Sequence, residues 1–311
     1  MTVPAVSVIL PAFNRLRYLR SAVDSVFAQS FGDWEMIIAD DGSDEETNAF
    51  LAELESRPKV TVIRLPHSGN PGTVRNAGAR QARGRYIAFL DSDDTWLPQK
   101  LERQIDLLRH RKDRRWIYTG YLRIDDLGNA LTVPSPVAWI PCRGAILEPL
   151  LRLEASVATA AVVVERELFM QVGGFDETLS MFEHYDLWLR LAQHSEIDLI
   201  DEPLTCLRSH ESHYSAMGLP LLEGRRALLT KMRRHLTDPR LRRIVEQLYA
   251  RNALNIASFH ADTDRSTAMR AILDGLPGFF TNKDWWTGLP RVLLKVAVPR
   301  RALAVYRRSR G

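Results

Sequence analysis

Four short apolar runs, at residues 6–10, 34–39, 60–65 and 85–90, constrain what this chain can fold into more than any other feature. Each is bounded by turn residues and separated from the next by a stretch with helical spacing, so each reads as a buried strand. After the first run, Leu19, Val23, Val26 and Phe27 recur at the spacing of one helix face. After the second, Ser43 or Asp44 can cap a helix that continues to about Ser56. A shorter helix is expected around residues 74–83. Strands that alternate with helices of this length imply an α/β fold with a doubly wound, mostly parallel sheet. Right-handed crossovers then bring three strand ends, at Pro11, Asp40 and Asp91, to one edge. That is the edge where open α/β sheets place their ligands.

What arrives at that edge is strongly acidic. The fourth run ends in Asp91, Asp93 and Asp94, three carboxylates within four positions. Like charges at this spacing repel, and placing them beside an apolar strand is costly unless something positive sits between them. A hard divalent cation, Mg²⁺ or Mn²⁺, prefers such oxygen ligands and would hold a phosphate-bearing substrate. The residues by themselves also allow a plain solvated acidic turn.

Beyond Asp94 the pattern is mixed. A helix is expected over residues 98–110, with Asp94 able to cap it, and a strand over 116–124 followed by a turn at 126–129. A further apolar run covers 159–164, Gly173 and Gly174 break the chain, and an amphipathic helix is expected over 183–194. A short strand at 197–207 and a polar loop at 208–217 follow. Residues 1–218 therefore read as one α/β domain and 219–311 as a helical, basic appendage.

The 311 residues are 45% apolar and 26% charged, as in ordinary globular proteins. Two cysteines, Cys142 and Cys206, suit neither a metal-binding spacing nor a disulfide framework, so a reducing, cytoplasmic setting is expected. No run reaches the roughly 18 apolar residues of a membrane span. The N-terminus has no basic region before its apolar run, as a signal peptide would. From residue 221 onward there are 19 Lys and Arg against 7 Asp and Glu, a balance of +12, while residues 1–220 carry −8. An acidic body suits a cation and a basic tail suits an anionic surface. No nucleic-acid-binding motif accompanies the basic residues, so nucleic acid is not an expected partner.

Six motifs in order resemble glycosyltransferase family 2, enzymes of the GT-A fold. They are Val6-Ser-Val-Ile-Leu-Pro11-Ala-Phe-Asn14, Asp40-Asp41-Gly42-Ser43, Arg75-Asn76-Ala-Gly78, Gly84-Arg-Tyr-Ile-Ala-Phe-Leu-Asp91-Ser-Asp93-Asp94, Gly173-Gly174-Phe175-Asp176-Glu177 and Glu183-His-Tyr-Asp186-Leu-Trp188-Leu-Arg190. The resemblance covers residues 5–215 and implies a nucleotide-diphosphate-sugar donor, expected to be UDP-linked on family grounds alone. It implies that Pro11, Ala12 and Asn14 border the base and ribose, that Asp40 or Asp41, with Asp40 favoured, accepts from base or ribose, and that Arg75 faces the donor. It also implies that Asp93 ligates Mn²⁺ or Mg²⁺ and that Asp91 meets the ribose and the metal. His210, in the late Arg208-Ser-His210 element, is a further metal-ligand candidate.

The departure concerns the catalytic base. The family carries Glu-Asp at the start of the late helix, with the Asp as base, whereas this chain has Glu183-His184. Glu183, His184 and Asp186 all remain candidates. The expected activity is an inverting, metal-assisted glycosyl transfer to a glycan or a polyprenyl-lipid-linked acceptor in surface polysaccharide or glycolipid synthesis. Two other readings are a nucleotide-sugar-binding or scaffold subunit that has lost its base, and a nucleotidyltransferase. The latter lacks a Gly-rich, basic triphosphate loop after the first strand. In the tail, Trp285, Trp286, Leu289, Val292, Leu293 and Val296 lie among Lys283, Arg291, Lys295, Arg300, Arg301, Arg307, Arg308 and Arg310. That stretch suits either peripheral contact with an anionic membrane or packing on the body or on a second copy of the chain.

Overall fold

In the computed structural model, which describes residues 3–131, 140–152, 154–209, 218–278 and 283–297, the first strand β1 (Val6–Ala12) is the spine of the first half. Helix α1 (Leu16–Phe27) follows, then β2 (Trp34–Asp40), α2 (Glu45–Glu55), β3 (Val60–Arg64), α3 (Pro71–Gln81) and β4 (Tyr86–Phe89). All four strands are parallel neighbours in the order β3-β2-β1-β4. Both faces of β1, β2 and β4 are covered, which is why these strands read as unbroken apolar runs instead of alternating ones, while β3 at the edge is partly exposed. Val6, Val8 and Leu10 join Leu19, Val23 and Val26 of α1 in one core. Ile9, on the other face, meets α3 so closely that a Cβ at Gly78 would lie 2.7 Å from its Cγ2.

The second half is mixed. It comprises β5 (Thr95–Trp96), α4 (Lys100–His110), β6 (Trp116–Ile124), α5 (Leu147–Arg152), β7 (Val162–Glu165), α6 (Arg166–Gln171), α7 (Glu183–Ala192) and β8 (Ile197–Arg208). It extends the sheet as β7-β6-β8-β5, so the eight strands form one surface. β7 runs antiparallel to both β4 and β6, β5 is antiparallel to β8, and β6 and β8 are parallel with a register shift around Gly120. The expected parallel character therefore holds for four of the seven strand pairings and is concentrated in the first half. Leu187, Trp188 and Leu191 of α7 are buried in the core, and the Trp188 ring stacks on Trp116 at 5.8 Å between centroids.

One expectation is corrected here. Asp94 does not cap α4, whose N-terminal Gln99 makes no side-chain cap. Asp94 is instead buried and accepts a hydrogen bond of 2.9 Å from the backbone N–H of Arg208, at the end of β8. The pull of a neighbouring backbone donor outweighs that of a helix end six residues away.

Among the described residues the chain divides into two compact units, Met1–His213 and Tyr214–Gly311, against an expected boundary after residue 218. The second unit is helical: α8 (Gly218–His235), α9 (Pro239–His260), α10 (Arg265–Gly275) and α11 (Lys283–Ala297). Asp238 and Asp264 cap α9 and α10 by accepting from backbone N–H groups of the first turn. Val292 and Val296 of α11 are buried with Leu254 and Ile272 in this unit's own core, and Leu289 packs against it. The apolar positions of the tail thus serve packing first, leaving Trp286, Leu293 and Leu294 exposed. No helix among the described residues is long and apolar enough to cross a membrane.

Candidate active site

The parallel register does the assembling. Ala12 lies opposite Asp40 and Ile9 opposite Phe89, so β1, β2 and β4 end side by side. Two acidic clusters therefore share one edge: Asp40 and Asp41 after β2, and Asp91, Asp93 and Asp94 after β4.

In the first cluster the two carboxylates have different occupations. Asp41 is enclosed by the loop after β3. Its side chain accepts from the N–H and Oγ of Ser68 at 2.8 and 2.9 Å and from the N–H of Gly69 at 3.0 Å, and it faces His67 Nδ1 at 3.0 Å. Asp40 accepts only long bonds, 3.3 and 3.4 Å, from the Ser43 N–H. Asp41 is thus committed to holding the loop, and Asp40 keeps hydrogen-bonding capacity for a ligand. Gly42, at φ +79, makes this turn possible, because a Cβ there would press within 3.2 Å of the His67 backbone.

The second cluster is met by three arginines. Arg75 Nη2 donates to Asp91 Oδ1 at 2.5 Å, and Arg15 Nη1 donates to Asp93 Oδ2 at 3.1 Å. Arg208 donates through Nε to the Asp93 carbonyl at 2.8 Å and through Nη1 to the Asp125 carbonyl at 2.6 Å. Burial, with Asp93 and Asp91 nearby, pushes the Asp94 carboxyl well above the usual carboxylate range.

Helix α3 then connects this cluster to α7. Asn70 caps α3, accepting from the Gly72 N–H at 2.9 Å, while its amide donates to the Glu177 carbonyl at 2.9 Å. Asn76 exchanges bonds of 2.9 Å with the Phe175 backbone in both directions. These two side chains fasten the 175–179 segment, and with it the start of α7, to α3. The last residue before α7, Phe182, is in the left-handed region at φ 63, a strained conformation for an aromatic residue. Asn14 and Arg15 share that conformation at φ 54 and 56, so three of the four such non-glycine residues among those described border this site.

Arg75 is buried and ties the two clusters of chemistry together: its Nη1 donates to Glu183 Oε1 at 3.0 Å while Nη2 holds Asp91. Burial would raise the Glu183 carboxyl, but the His184 imidazole and the Arg75 guanidinium outweigh it and hold the group down at about 2. His184 Nδ1 stands 3.6 Å from the same Glu183 oxygen, an ion-pair rather than a hydrogen-bond distance. The side chains of Glu183, His184 and Asp186 are 9%, 35% and 0% exposed.

Asp186 is the clearest correction among the base candidates. Its Oδ2 accepts from Arg190 Nε and Nη2 at 2.8 and 2.6 Å, with no exposed side-chain surface. An acceptor hydroxyl could reach it only if the surrounding side chains moved, since the carboxylate has no exposed surface. The spacing of three that puts Glu183 and Asp186 on one helix face is real, but their partners lie in different places.

Of the first turn, Ala12 is buried and its carbonyl accepts from the Asp41 N–H at 2.8 Å. Asn14 stitches its loop to the next one, its N–H donating to Ser43 Oγ and its Oδ1 accepting from the Asp44 N–H, each at 2.8 Å. Pro11 is partly buried between them. Neither Phe13 nor His67 was among the expected site residues. Phe13 is 42% exposed, and its ring stacks on His67 at 4.3 Å and 20° beside Asp41. An exposed aromatic within a polar turn was the available signal. Arg15 and the role of Arg208 were likewise missed, since solvated arginines look the same in a sequence. His210 lies outside the described residues.

The donor set of Asp91 and Asp93 is all oxygen and suits Mg²⁺ or Mn²⁺. Among the described residues no group of three or more His, Cys, Asp and Glu is arranged to hold a metal. Mg²⁺ in phosphate chemistry is commonly held by one or two carboxylates together with substrate phosphates, so two aspartates at a phosphate site are a sufficient protein contribution.

Comparison with known proteins agrees with this geometry. The family model for glycosyl transferase family 2 matches residues 7–129. An uncharacterized glycosyltransferase of Rickettsia prowazekii is 30% identical over 221 residues, covering 71% of this chain and 69% of its own length. A longer relative from Rickettsia felis, 28% identical, is matched over 35% of its length. The Escherichia coli UDP-Glc:alpha-D-GlcNAc-diphosphoundecaprenol beta-1,3-glucosyltransferase WfgD is 26% identical over 68% of this chain and 78% of its own. Among solved structures, Staphylococcus aureus TarS 1-349 in complex with UDP-GlcNAc superposes with a TM-score of 0.66 at 16% identity, covering 88% of this chain and 81% of that one. The Pyrobaculum calidifontis mannosyltransferase PcManGT, with GDP-Man and Mn²⁺, gives 0.61 at 16% identity over 95% and 86%. At such identities the structural likeness speaks for the fold.

Proposed function

This chain belongs to glycosyltransferase family 2, and on that premise we propose that it moves a sugar from a UDP-linked donor to a hydroxyl of a glycan or lipid-linked acceptor, with inversion at the anomeric carbon. The observation that carries this reading is the parallel register of β1, β2 and β4, which sets Asp40 and the Asp91–Asp93 pair at the ends of the two strands that flank β1, with Arg75 buried beside Asp91.

Asp40 is the acceptor for donors on the base or ribose, and the exposed Phe13–His67 pair offers aromatic surface to the nucleobase. Asp91 and Asp93 would hold Mn²⁺ or Mg²⁺. When bound, that cation supplies Lewis-acid neutralisation of charge on the departing nucleoside diphosphate. Arg75 adds a permanent positive charge next to the same carboxylates and holds the start of α7 against them. Inversion requires a general base on the acceptor side, and α7 supplies it.

The name of the Escherichia coli relative specifies a UDP-glucose donor and a diphosphoundecaprenol-linked acceptor, and the TarS structure carries UDP-GlcNAc. Both favour a uridine donor here, and the first favours a lipid-linked glycan acceptor. An acceptor of that kind lies at a membrane, where the exposed Trp286, Leu293 and Leu294 of α11, next to Arg291 and Lys295, would be suited to peripheral contact.

Calorimetric titration with UDP tests the donor site. Binding that requires Mn²⁺, is abolished by EDTA and is lost in Asp93→Ala is the expected result. Failure of UDP, GDP and dTDP to bind in either condition would reduce the acidic edge to a structural feature.

A further inference from the structure

Resting on the donor-site reading, we propose that His184 is the general base of the transfer, replacing the family's aspartate at that position, and that Glu183 is its positioning carboxylate, itself fixed by Arg75. Three observations converge on this division of labour. Among the α7 candidates only His184 presents substantial side-chain surface, 35% against 9% and 0% for Glu183 and Asp186, and a base must touch the acceptor hydroxyl. Glu183 Oε1 is already engaged by Arg75 Nη1 at 3.0 Å, and Asp186 by Arg190. The third observation is chemical. A carboxylate held down at about 2 is a weak proton acceptor, whereas an imidazole is matched to neutral pH.

Of the two ring nitrogens, Nδ1 is the one beside Glu183, 3.6 Å from its Oε1, and in this proposal Nε2 serves the acceptor. His184 otherwise meets the edge of the Tyr185 ring at 5.9 Å, and Tyr185 is itself tied by its hydroxyl to the Ala155 carbonyl at 2.8 Å. From α3, Arg75 reaches the same Glu183 oxygen as His184, and it is the only other cation that the described contacts bring to that carboxylate.

The step balances as follows. The acceptor O–H gives its proton to His184 Nε2 while the oxygen's electron pair forms the new bond to the anomeric carbon. The bond from that carbon to the diphosphate oxygen breaks, its electron pair leaving with the nucleoside diphosphate. The imidazolium, stabilised by Glu183, returns its proton to water. Arg75 thereby couples the two ends of the reaction: one arm holds the carboxylate that orients the base, and the other holds Asp91 at the donor.

Water can serve as acceptor, so hydrolysis of UDP-glucose and UDP-GlcNAc reads the base without knowledge of the natural acceptor. The experiment measures kcat for release of UDP from pH 5 to 9 in the wild type, His184→Asn and His184→Asp, with the UDP dissociation constant of each by calorimetry. Wild type is expected to lose kcat on the acid side in the neutral range. His184→Asn should fall by about 100-fold or more in kcat with UDP binding unchanged. His184→Asp should recover much of that loss and move the acid limb down by more than about one pH unit. A His184→Asn enzyme within threefold of wild type, or an acid limb that stays in place in His184→Asp, would overturn the proposal. So would a wild type that binds UDP yet hydrolyses neither donor, which is the behaviour of a binding subunit. Absence of UDP binding by the wild type would instead sink the donor site itself and take the base with it.

Discussion

The two acidic strand ends solve the same electrostatic problem in opposite ways. After β2, Asp41 is satisfied by neutral donors of one adjoining loop, the Ser68 and Gly69 N–H groups and the Ser68 hydroxyl. After β4, two carboxylates are met by guanidinium groups, Asp91 by Arg75 and Asp93 by Arg15, while Arg208 gives Asp94 its backbone N–H and turns its guanidinium to the Asp93 carbonyl. Fixed dipoles make a preformed, nearly neutral cradle that suits a nucleobase or ribose. A buried cation at Asp91 and a more exposed one at Asp93 leave only the outer counter-ion exchangeable, which would suit a diphosphate with its metal. The contrast also separates committed from less committed side chains: Asp41 holds the loop while Asp40 accepts long bonds, and Asp186 is enclosed with Arg190 while His184 is 35% exposed.

Arg75→Ala should break that contrast most severely. It strands Asp91 and Glu183 around a missing buried cation, at a cost of about 3–5 kcal/mol in urea denaturation, together with loss of UDP binding. Arg75→Lys should recover stability only in part, because one ammonium cannot reproduce the two-armed contact. A comparably large effect concerns pH. Glu183 is held at about 2, below its ordinary value near 4.3, so its contribution is complete above about pH 5 and lost as pH falls toward 2. Glu183→Gln should flatten the stability curve across that window by roughly 2–3 kcal/mol, measured by denaturation at each pH. Asp41→Ala should cost about 1–3 kcal/mol by leaving the loop donors unsatisfied, with weaker UDP binding but unaltered metal dependence. Smallest is Arg15→Ala: its pair with Asp93 is 44% and 19% exposed, so thermal unfolding should register less than about 1 kcal/mol. If Arg15→Ala destabilised as much as Arg75→Ala, the division between an exchangeable outer cation and a buried structural one would be lost.

The first half of the fold was open to reading because β1, β2 and β4 are buried almost throughout and α1 has one apolar stripe. Leu19, Val23 and Val26 announce α1 by spacing alone, and they do pack on β1. The second half resisted because its order depends on pairings between distant segments: β7 joins β4 to β6 although it lies more than seventy residues beyond β4 in the chain, and nothing in the run 159–164 states its direction. At the site, the aspartates were visible as unusual clusters of charge. Their partners were not. Arg15, Arg75 and Arg208 are three among many arginines, and only the fold distinguishes the one that is buried between two carboxylates. The difference among Glu183, His184 and Asp186 was likewise beyond helical geometry, since Glu183 meets Arg75, Asp186 meets Arg190, and His184 is the more exposed one.

The account's central claim is that the ends of β2 and β4 form one donor site, with Asp40 at the nucleoside and Asp93 at the metal. A crystal grown with UDP and Mn²⁺, measured at the manganese edge, addresses it directly. The expected result is an anomalous peak at the Asp93 carboxylate and the diphosphate, with uracil between Asp40 and the Phe13–His67 pair. A manganese peak away from Asp93, or UDP bound elsewhere on the chain, would contradict it.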